Sequence, residues 1–380
     1  MLGAAVLAAS VRGAAAPPTS TWVKETVSPQ GGVALPLSDA PLVKPCGGGL
    51  DRALVTVALE LAKVLAERGK LPDAQEIEWL QRKAGSPHVW PRTWGAVVEG
   101  QLDRKALGKD VVAWLGAHAP RARCGVGSYK GGGKDSLALV MIDPVADLAA
   151  IPTQVNTNTW IDVDARLLAG QTEGRVVLLP PTGAPKTILS SVTGSAPHVR
   201  AKFLVATAGR HVVQILADDE AGPRPVLEAE VWAAVAPPEQ PPSSEVPGEA
   251  AGDKEKDPAT ALFLRLDGAR KAEKLPSLVR DPSLDKLARA HAEAMRKAKL
   301  LGHDVGDGDP ASRAAASGKK WKVVGENVAK ARTEKAAHRA LYASPSHRGN
   351  MLETRFTKVG IGVVVDDKTE EMWVTELYGG

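Results

Sequence analysis

Apolar positions recur every three to four residues over 50–68, with Leu50, Leu54, Val57, Leu61 and Val64 on one stripe, which predicts an amphipathic helix. A second helical stretch surrounds Ile77 to Lys83, and the short apolar run 137–142 (LALVMI) predicts a strand. From about 153 to 235 the period shifts to two. Ile161, Val163, Ala165 and Leu167 alternate with Asp162, Asp164 and Arg166, and Ala229 and Val231 alternate with Glu230 and Trp232. Phe203 and Val205 follow the same period around Lys202 and Leu204 less cleanly. Turn signals at Thr182-Gly183, Thr193-Gly194 and Ala208-Gly209 separate the runs. Short strands so spaced predict a central antiparallel β-sandwich, in which His198 and His211 stand isolated and form no catalytic cluster.

The last third returns to helical spacing. Residues 259–273 and 283–299 predict helices, the second capped by Asp281 with Pro282 at its first position. Leu284, Leu287, Ala288, His291, Met295 and Ala298 share one face of it. Helices are also expected over 334–343 and 345–352, the latter with Ser344 as N-cap. Alternating runs at 359–365 and 372–378 predict a hairpin through Asp366-Asp367-Lys368. Residues 236–257 are rich in Pro and charge and read as a linker. The expected architecture is an α+β multidomain chain. It comprises 1–45, a start segment and tether; 46–150, an N-terminal α+β domain; 153–235, the β-sandwich; 236–257, the linker; and 258–380, a final α+β domain.

A chain of 380 residues is too long for one ordinary core, and 44% hydrophobic with 24% charged residues is a soluble globular composition. The net charge of +4 gives no reason to expect a nucleic-acid partner. The start Met1–Ala16 is small and apolar and reads as an export signal, or as an Ala-rich tail; no other run approaches the ~20 apolar residues of a transmembrane span. Cys46 and Cys124 suit one disulfide in an extracellular or envelope protein, or two buried thiols in a cytosolic one.

The N-terminal region echoes the last. Leu50-Asp51-Arg52 opens a helix as Leu284-Asp285-Lys286 does, and Cys124-Gly125-Val126-Gly127 precedes a strand as Val359-Gly360-Ile361-Gly362 does. The spacing between the anchors agrees to one residue, which is either an internal duplication or a coincidence of short anchors. A duplicate would have lost its polar site, since the first copy has no Gly-Glu-Asn and only His118 to mimic His347.

Polar chemistry concentrates at Gly302-His303, Gly325-Glu326-Asn327 and the run Ser344 to Asn350. With Leu287 to Met295, Arg313, Trp321, Val324 to Ala329 and Phe356 to Gly362, these pieces in this order resemble a CAP domain (cysteine-rich secretory, antigen and pathogenesis-related proteins), specifically its bacterial SCP-like extracellular branch. The resemblance covers roughly 259–380 and implies an α-β-α sandwich whose cleft holds two His and two Glu. Carried over, the His are His303 and His347 and one Glu is Glu326; the second Glu is missing, its place falling near Ser344. The resemblance also implies zinc or magnesium on the imidazoles, or a small ligand, lipid or cell-envelope component. By the same resemblance the N-terminal domain would be a degenerate CAP-like copy.

From the residues themselves, His347 sits in a helix first turn, where a ring faces a region that favours anions. Glu326 suits a metal ligand, a ring-orienting group or a general base. Asn327 and Asn350 read as bracing amides; Arg348 reads as an anion contact or a structural ion pair; His338 as a surface residue; His291 as packed and hydrogen-bonded. The acidic loop Asp304 to Asp309 lacks the downstream Glu of an EF-hand. Ser346 and His347 are adjacent on a helix and make poor nucleophile–base partners. A binding module is the expected function. The alternative is a metal-dependent, peptidase-like hydrolase using His303 and His347 with Glu326, although a catalytic zinc wants three protein ligands.

Overall fold

The computed structural model describes residues 21–168, 173–193, 197–241 and 245–380. The export-like start and the Gly194 turn lie outside the described residues. The first third runs β1 (Glu25–Ser28), α1 (Ala40–Val43), α2 (Arg52–Arg68), α3 (Ala74–Lys83), β2 (Arg92–Glu99), α4 (Arg104–Leu115), β3 (Arg123–Gly131) and β4 (Lys134–Ile142). The middle runs β5 (Ala146–Pro152), β6 (Gln154–Val155), β7 (Thr159–Leu167), β8 (Gly174–Leu179), β9 (Lys186–Ile188), β10 (Ser190–Thr193), β11 (His198–Val205), β12 (Gly209–Asp219) and β13 (Gly222–Ala233). The last third runs α5 (Pro258–Ala272), β14 (Val279–Arg280), α6 (Pro282–Ala298), α7 (Pro310–Ala315), β15 (Val324–Ala331), α8 (Glu334–Ala343), α9 (Pro345–Leu352), β16 (Lys358–Val365) and β17 (Met372–Gly379).

In the first unit the antiparallel sheet β2-β4-β3 is covered on both faces. Leu137, Leu139 and Met141 of β4 meet Leu42, Val111 and Leu115 from α1 and α4, while Ala138, Val140 and Ile142 meet Leu54, Val57, Ala58 and Leu61 of α2. Burial on both faces is why β4 is apolar without alternation. Asp51 caps α2 by accepting from the amides of Ala53 and Leu54, and Gly69 ends it in the left-handed region at φ 73°. Cys46 and Cys124 are joined as a disulfide.

The last unit has the same plan. Its sheet runs β14-β16-β17-β15, with α6 on one face and α5, α8 and α9 on the other. Asp281 caps α6 through the amides of Ser283 and Leu284, and both α2 and α6 are 17 residues long. A Cβ on Gly125 would lie 2.1 Å from the Leu54 carbonyl carbon, and one on Gly360 would lie 2.1 Å from that of Leu284. Gly127 meets Ala58 as Gly362 meets Ala288. Glycine is needed at these crossings because the helix backbone rests directly on the strand. The matching anchors are thus Asp51 with Asp281 and Leu54 with Leu284, four residues from the Leu50–Leu284 pairing read from sequence. That reading took Asp285, inside α6, for the residue that opens the helix.

The middle strands form two five-stranded sheets, β1-β5-β7-β11-β10 and β6-β13-β12-β8-β9, antiparallel except for β6 against β13. One apolar cluster joins them, including Ile161, Val163 and Phe203 from the first and Val213, Ile215 and Val231 from the second. The expected tether is built in: β1 pairs with β5, and Trp22 packs edge-on against Trp232 at 6.1 Å. The sheets therefore begin before residue 153. Half of the expected linker is docked as well. Glu249 is buried, with Arg339 Nε 2.6 Å from its carboxylate, and Pro247 O lies 2.9 Å from His338 Nε2. A buried ion pair and a helix-facing carbonyl override the local Pro and charge content.

Candidate functional site

His303 lies in the turn that follows α6, and its side chain is 17% exposed. Its Nδ1 is 2.9 Å from Oε1 of Glu326, a β15 residue whose side chain is 1% exposed. A carboxylate accepts, so Nδ1 donates and the lone pair of the neutral ring sits on Nε2. The other oxygen, Oε2, accepts from Arg313 of α7. Arg313 also donates to the carbonyls of His303 (2.8 Å) and Gly308. Asp309 positions that helix by accepting from the amides of Ala311 and Ser312. Buried His291 faces Asp307 at 2.8 Å and Gly302 O at 3.0 Å, and its Nε2 lies 3.7 Å from Glu326 Oε1. Glu326 is thus buried, compensated and used on both oxygens.

His347 occupies the first turn of α9. The residue is partly exposed, yet its Nδ1 is sealed and has no hydrogen-bond partner among the described residues. Burial, and after it the charge of His303, hold its pKa down at about 4, so the ring is neutral at neutral pH. Beneath it, Asn327 Nδ2 lies 3.1 Å from His347 O, 3.0 Å from Glu376 Oε2 and 3.3 Å from Tyr378 Oη. Asn350 Nδ2 donates to Glu326 O (2.9 Å) and Asn327 Oδ1 (3.0 Å). These amides tie α9 to β15, and so fix where the His347 backbone stands relative to Glu326. Burial pushes the Glu376 carboxyl above its ordinary range.

The structure brings His303 and Glu326 into direct contact, and Asn327 binds the backbone of His347. Arg348 is directed elsewhere. Its guanidinium stacks on the Tyr342 ring at 3.9 Å and its Nε donates to Tyr342 O at 2.7 Å, with no carboxylate paired to it among the described residues. His338 is not a surface residue: it is fully buried and faces Pro247 O. Ser344 is at the N-cap position but makes no capping bond; its Oγ lies 3.1 Å from Gln214 Nε2 of β12. In the acidic loop, Asp304 Oδ1 accepts from the amides of Gly306 and Gly308, so that carboxylate serves the turn itself. Sequence reasoning gave Arg313 no role, and the contacts from β12 and from Ala221 have no local signal at all. Glu376 carried a weak one, as a charge inside an otherwise apolar strand pattern.

No group of three or more His, Cys, Asp or Glu placed to hold a metal occurs among the described residues. A three-ligand catalytic zinc therefore does not fit, because Glu326 is spent on Arg313 and His303. The imidazoles of His303 and His347 remain as candidate donors. A separate cavity of about 660 Å³ opens on the first unit, lined by residues including Arg104, Ser128 and Lys130. Its Arg104 is already paired with Asp39 and Asp135.

A family model described as the cysteine-rich secretory protein family (CAP) matches residues 264–378. The uncharacterized protein YkwD of Bacillus subtilis (strain 168) is 30% identical over 112 residues, 29% of this chain and 42% of that protein, so the chain spans under half the length of this relative. Among solved structures, an outer surface protein of Borrelia burgdorferi is 21% identical with a TM-score of 0.31, over 33% of this chain and 92% of that one. An extracellular protein containing a SCP domain from Bacillus anthracis is 16% identical with a TM-score of 0.30, over 62% and 85%. A cysteine-rich secretory protein of Staphylococcus aureus is 12% identical with a TM-score of 0.27, over 71% and 91%. Residues 264–378, under a third of the chain, match the CAP family model, and the sequence motifs of the last unit fall in the same stretch.

Proposed function

We propose that this is an exported or cell-envelope binding protein, whose CAP cleft takes a divalent cation or small ligand on His303 and His347 without chemical turnover. The observation that carries the reading is the Arg313–Glu326–His303 chain. A carboxylate compensated by a guanidinium is a poor general base, and it is not available as a third metal ligand. It does orient the His303 ring, which leaves Nε2 for a cation. The buried Cys46–Cys124 disulfide supports an oxidising compartment. No helix among the described residues is long and apolar enough to cross a membrane.

On the same reading the first unit is a second, degenerate CAP-like copy. Register places Thr93 where the last unit has Glu326, Trp94 where it has Asn327, and Leu139 where it has Glu376. The polar site is replaced by packing. The test uses the full chain, equilibrated with zinc and then desalted, with retained metal measured for wild type and for His303→Ala with His347→Ala. Retention in wild type and loss in the double variant is expected; equal retention rejects the ligand assignment. Metal-dependent peptide hydrolysis abolished by Glu326→Gln would instead establish the hydrolase.

A further inference from the structure

The two imidazoles stand on different elements, and a single hairpin of the middle unit touches the His303 loop and the start of the His347 helix. At the first, the amides of His303 and Asp304 both donate to Ala221 O, at 2.6 and 3.1 Å. Ala221 lies in the turn between β12 and β13. Next to it Gly222, at φ 98°, rests on the His303 side chain: a Cβ there would come 3.0 Å from His303 Cβ and 3.4 Å from its Cδ2. From the other side, a Cβ on Gly302 would come 2.6 Å from Ala221 Cβ. A side chain at Gly302 would therefore force the turn to shift, and one at Gly222 would press on His303, in a backbone conformation that favours glycine.

At the second element, Gln214 of β12 reaches the start of α9. Its Oε1 accepts from Ser346 N at 3.0 Å, and its Nε2 faces Ser344 Oγ at 3.1 Å and Glu228 Oε1 at 2.5 Å. Gln214 thus does the capping that Ser344 does not do for its own helix. It fills the amide position one residue before His347 that would otherwise attract an anionic ligand group. One rigid β-ribbon bridges the loop of His303 and the helix of His347.

We propose that the β12–β13 hairpin is a built-in stopper of the CAP cleft, and that a ligand reaches His303 and His347 together only when the middle unit, of which β12 and β13 are interior strands, shifts off the cleft as a body. Its significance rests on the cleft being a ligand site, as proposed above, but its test needs no ligand. The two glycine contacts make the closed state tight. The bonds to Ala221 O and Gln214 are few enough to break without unfolding either unit.

The experiment is diethyl pyrocarbonate labelling of the full chain at neutral pH, with each histidine followed by peptide mass spectrometry. His118, whose side chain is 45% exposed, serves as the internal reference. Ala221→Phe wedges the turn away from Gly302, and Gln214→Ala removes the brace at α9. Ala221→Cys with Gly302→Cys locks the hairpin down through a disulfide once the two Cβ atoms part by about 1 Å to the usual ~3.8 Å. His303 and His347 should label about tenfold faster in the combined wedge and brace variant than in wild type. They should label more slowly in the oxidised double-cysteine protein than in the Ala221→Cys protein, in which Gly302 is unchanged, a comparison that does not depend on the wedged variant folding. Equal rates in the locked and Ala221→Cys proteins, or wild-type rates matching His118, would overturn the stopper. A cleft that closes and opens this way but retains no zinc would leave the stopper standing and remove only the metal reading.

Discussion

Arg313 and His303 divide one carboxylate between them: Arg313 donates to Oε2 of Glu326 while Nδ1 of His303 lies 2.9 Å from Oε1. With Arg313 at 7% and Glu326 at 1% side-chain exposure, this is a buried pair. Removing one partner strands a charge, which costs about 3–5 kcal/mol. Arg313→Met should lower the urea-unfolding free energy by that amount. Arg313→Met with Glu326→Gln should recover most of it, because no lone charge is then left inside.

The outline of this arrangement was legible in the sequence. The helical stripe of α6 with its Asp281-Pro282 start, the Pro at the start of α9 and the alternation of the last two strands are all local signals, and they fall within a residue of the elements observed. Family order placed His303 and Glu326 together. The role of Arg313 was not legible, because a guanidinium that crosses from a six-residue helix to a strand leaves no periodic trace. Nor was the cover over His303, since Ala221 and Gln214 act through a backbone carbonyl and a side chain some 80 to 130 residues away. The docked linker misled for the opposite reason: its composition is polar, but its Glu249 has two partners from α8 waiting for it, Arg339 and Lys335.

The strand glycines give a paired prediction. Gly360→Ala puts a methyl 2.1 Å from the Leu284 carbonyl carbon, and Gly125→Ala does the same at Leu54. Neither neighbour is a flexible side-chain end, so helix and strand must separate, and each change should cost about 3 kcal/mol. Gly349 of α9 meets nothing within 4 Å. Gly349→Ala should therefore stabilise by about 0.5–1 kcal/mol, through helix propensity alone. Thermal unfolding of the three variants checks the sign of each.

Asn327 serves the backbone of His347, Glu376 and Asn350 together. Asn327→Ala leaves several buried groups without that partner and should cost about 3 kcal/mol. Glu376→Gln should be far milder at neutral pH. Burial already raises the pKa of this carboxyl, so an amide of the same shape replaces a group disfavoured as an anion. Zinc retention by Glu376→Gln should match wild type, while Asn327→Ala should lose it in proportion to the displacement of α9.

Glu78 of α3 provides a pH signature at the junction of the first and middle units. Burial, and then the neighbouring charge of Glu228, push its pKa up to about 7, against an ordinary 4.5. Arg82 and Arg210 oppose that rise without cancelling it. Below about pH 4.5 the group is protonated both folded and unfolded and contributes no slope. Between about 4.5 and 7 the folded chain keeps a proton that the unfolded chain has released, so stability falls as pH rises, and the loss is complete above about 7. Glu78→Gln removes the ionisation. Its unfolding free energy should exceed that of wild type at pH 8 by on the order of 2 kcal/mol and converge with it near pH 4. Denaturant melts of both proteins across that range measure the difference directly, and parallel curves would show that the carboxyl is solvated at the junction rather than enclosed by it.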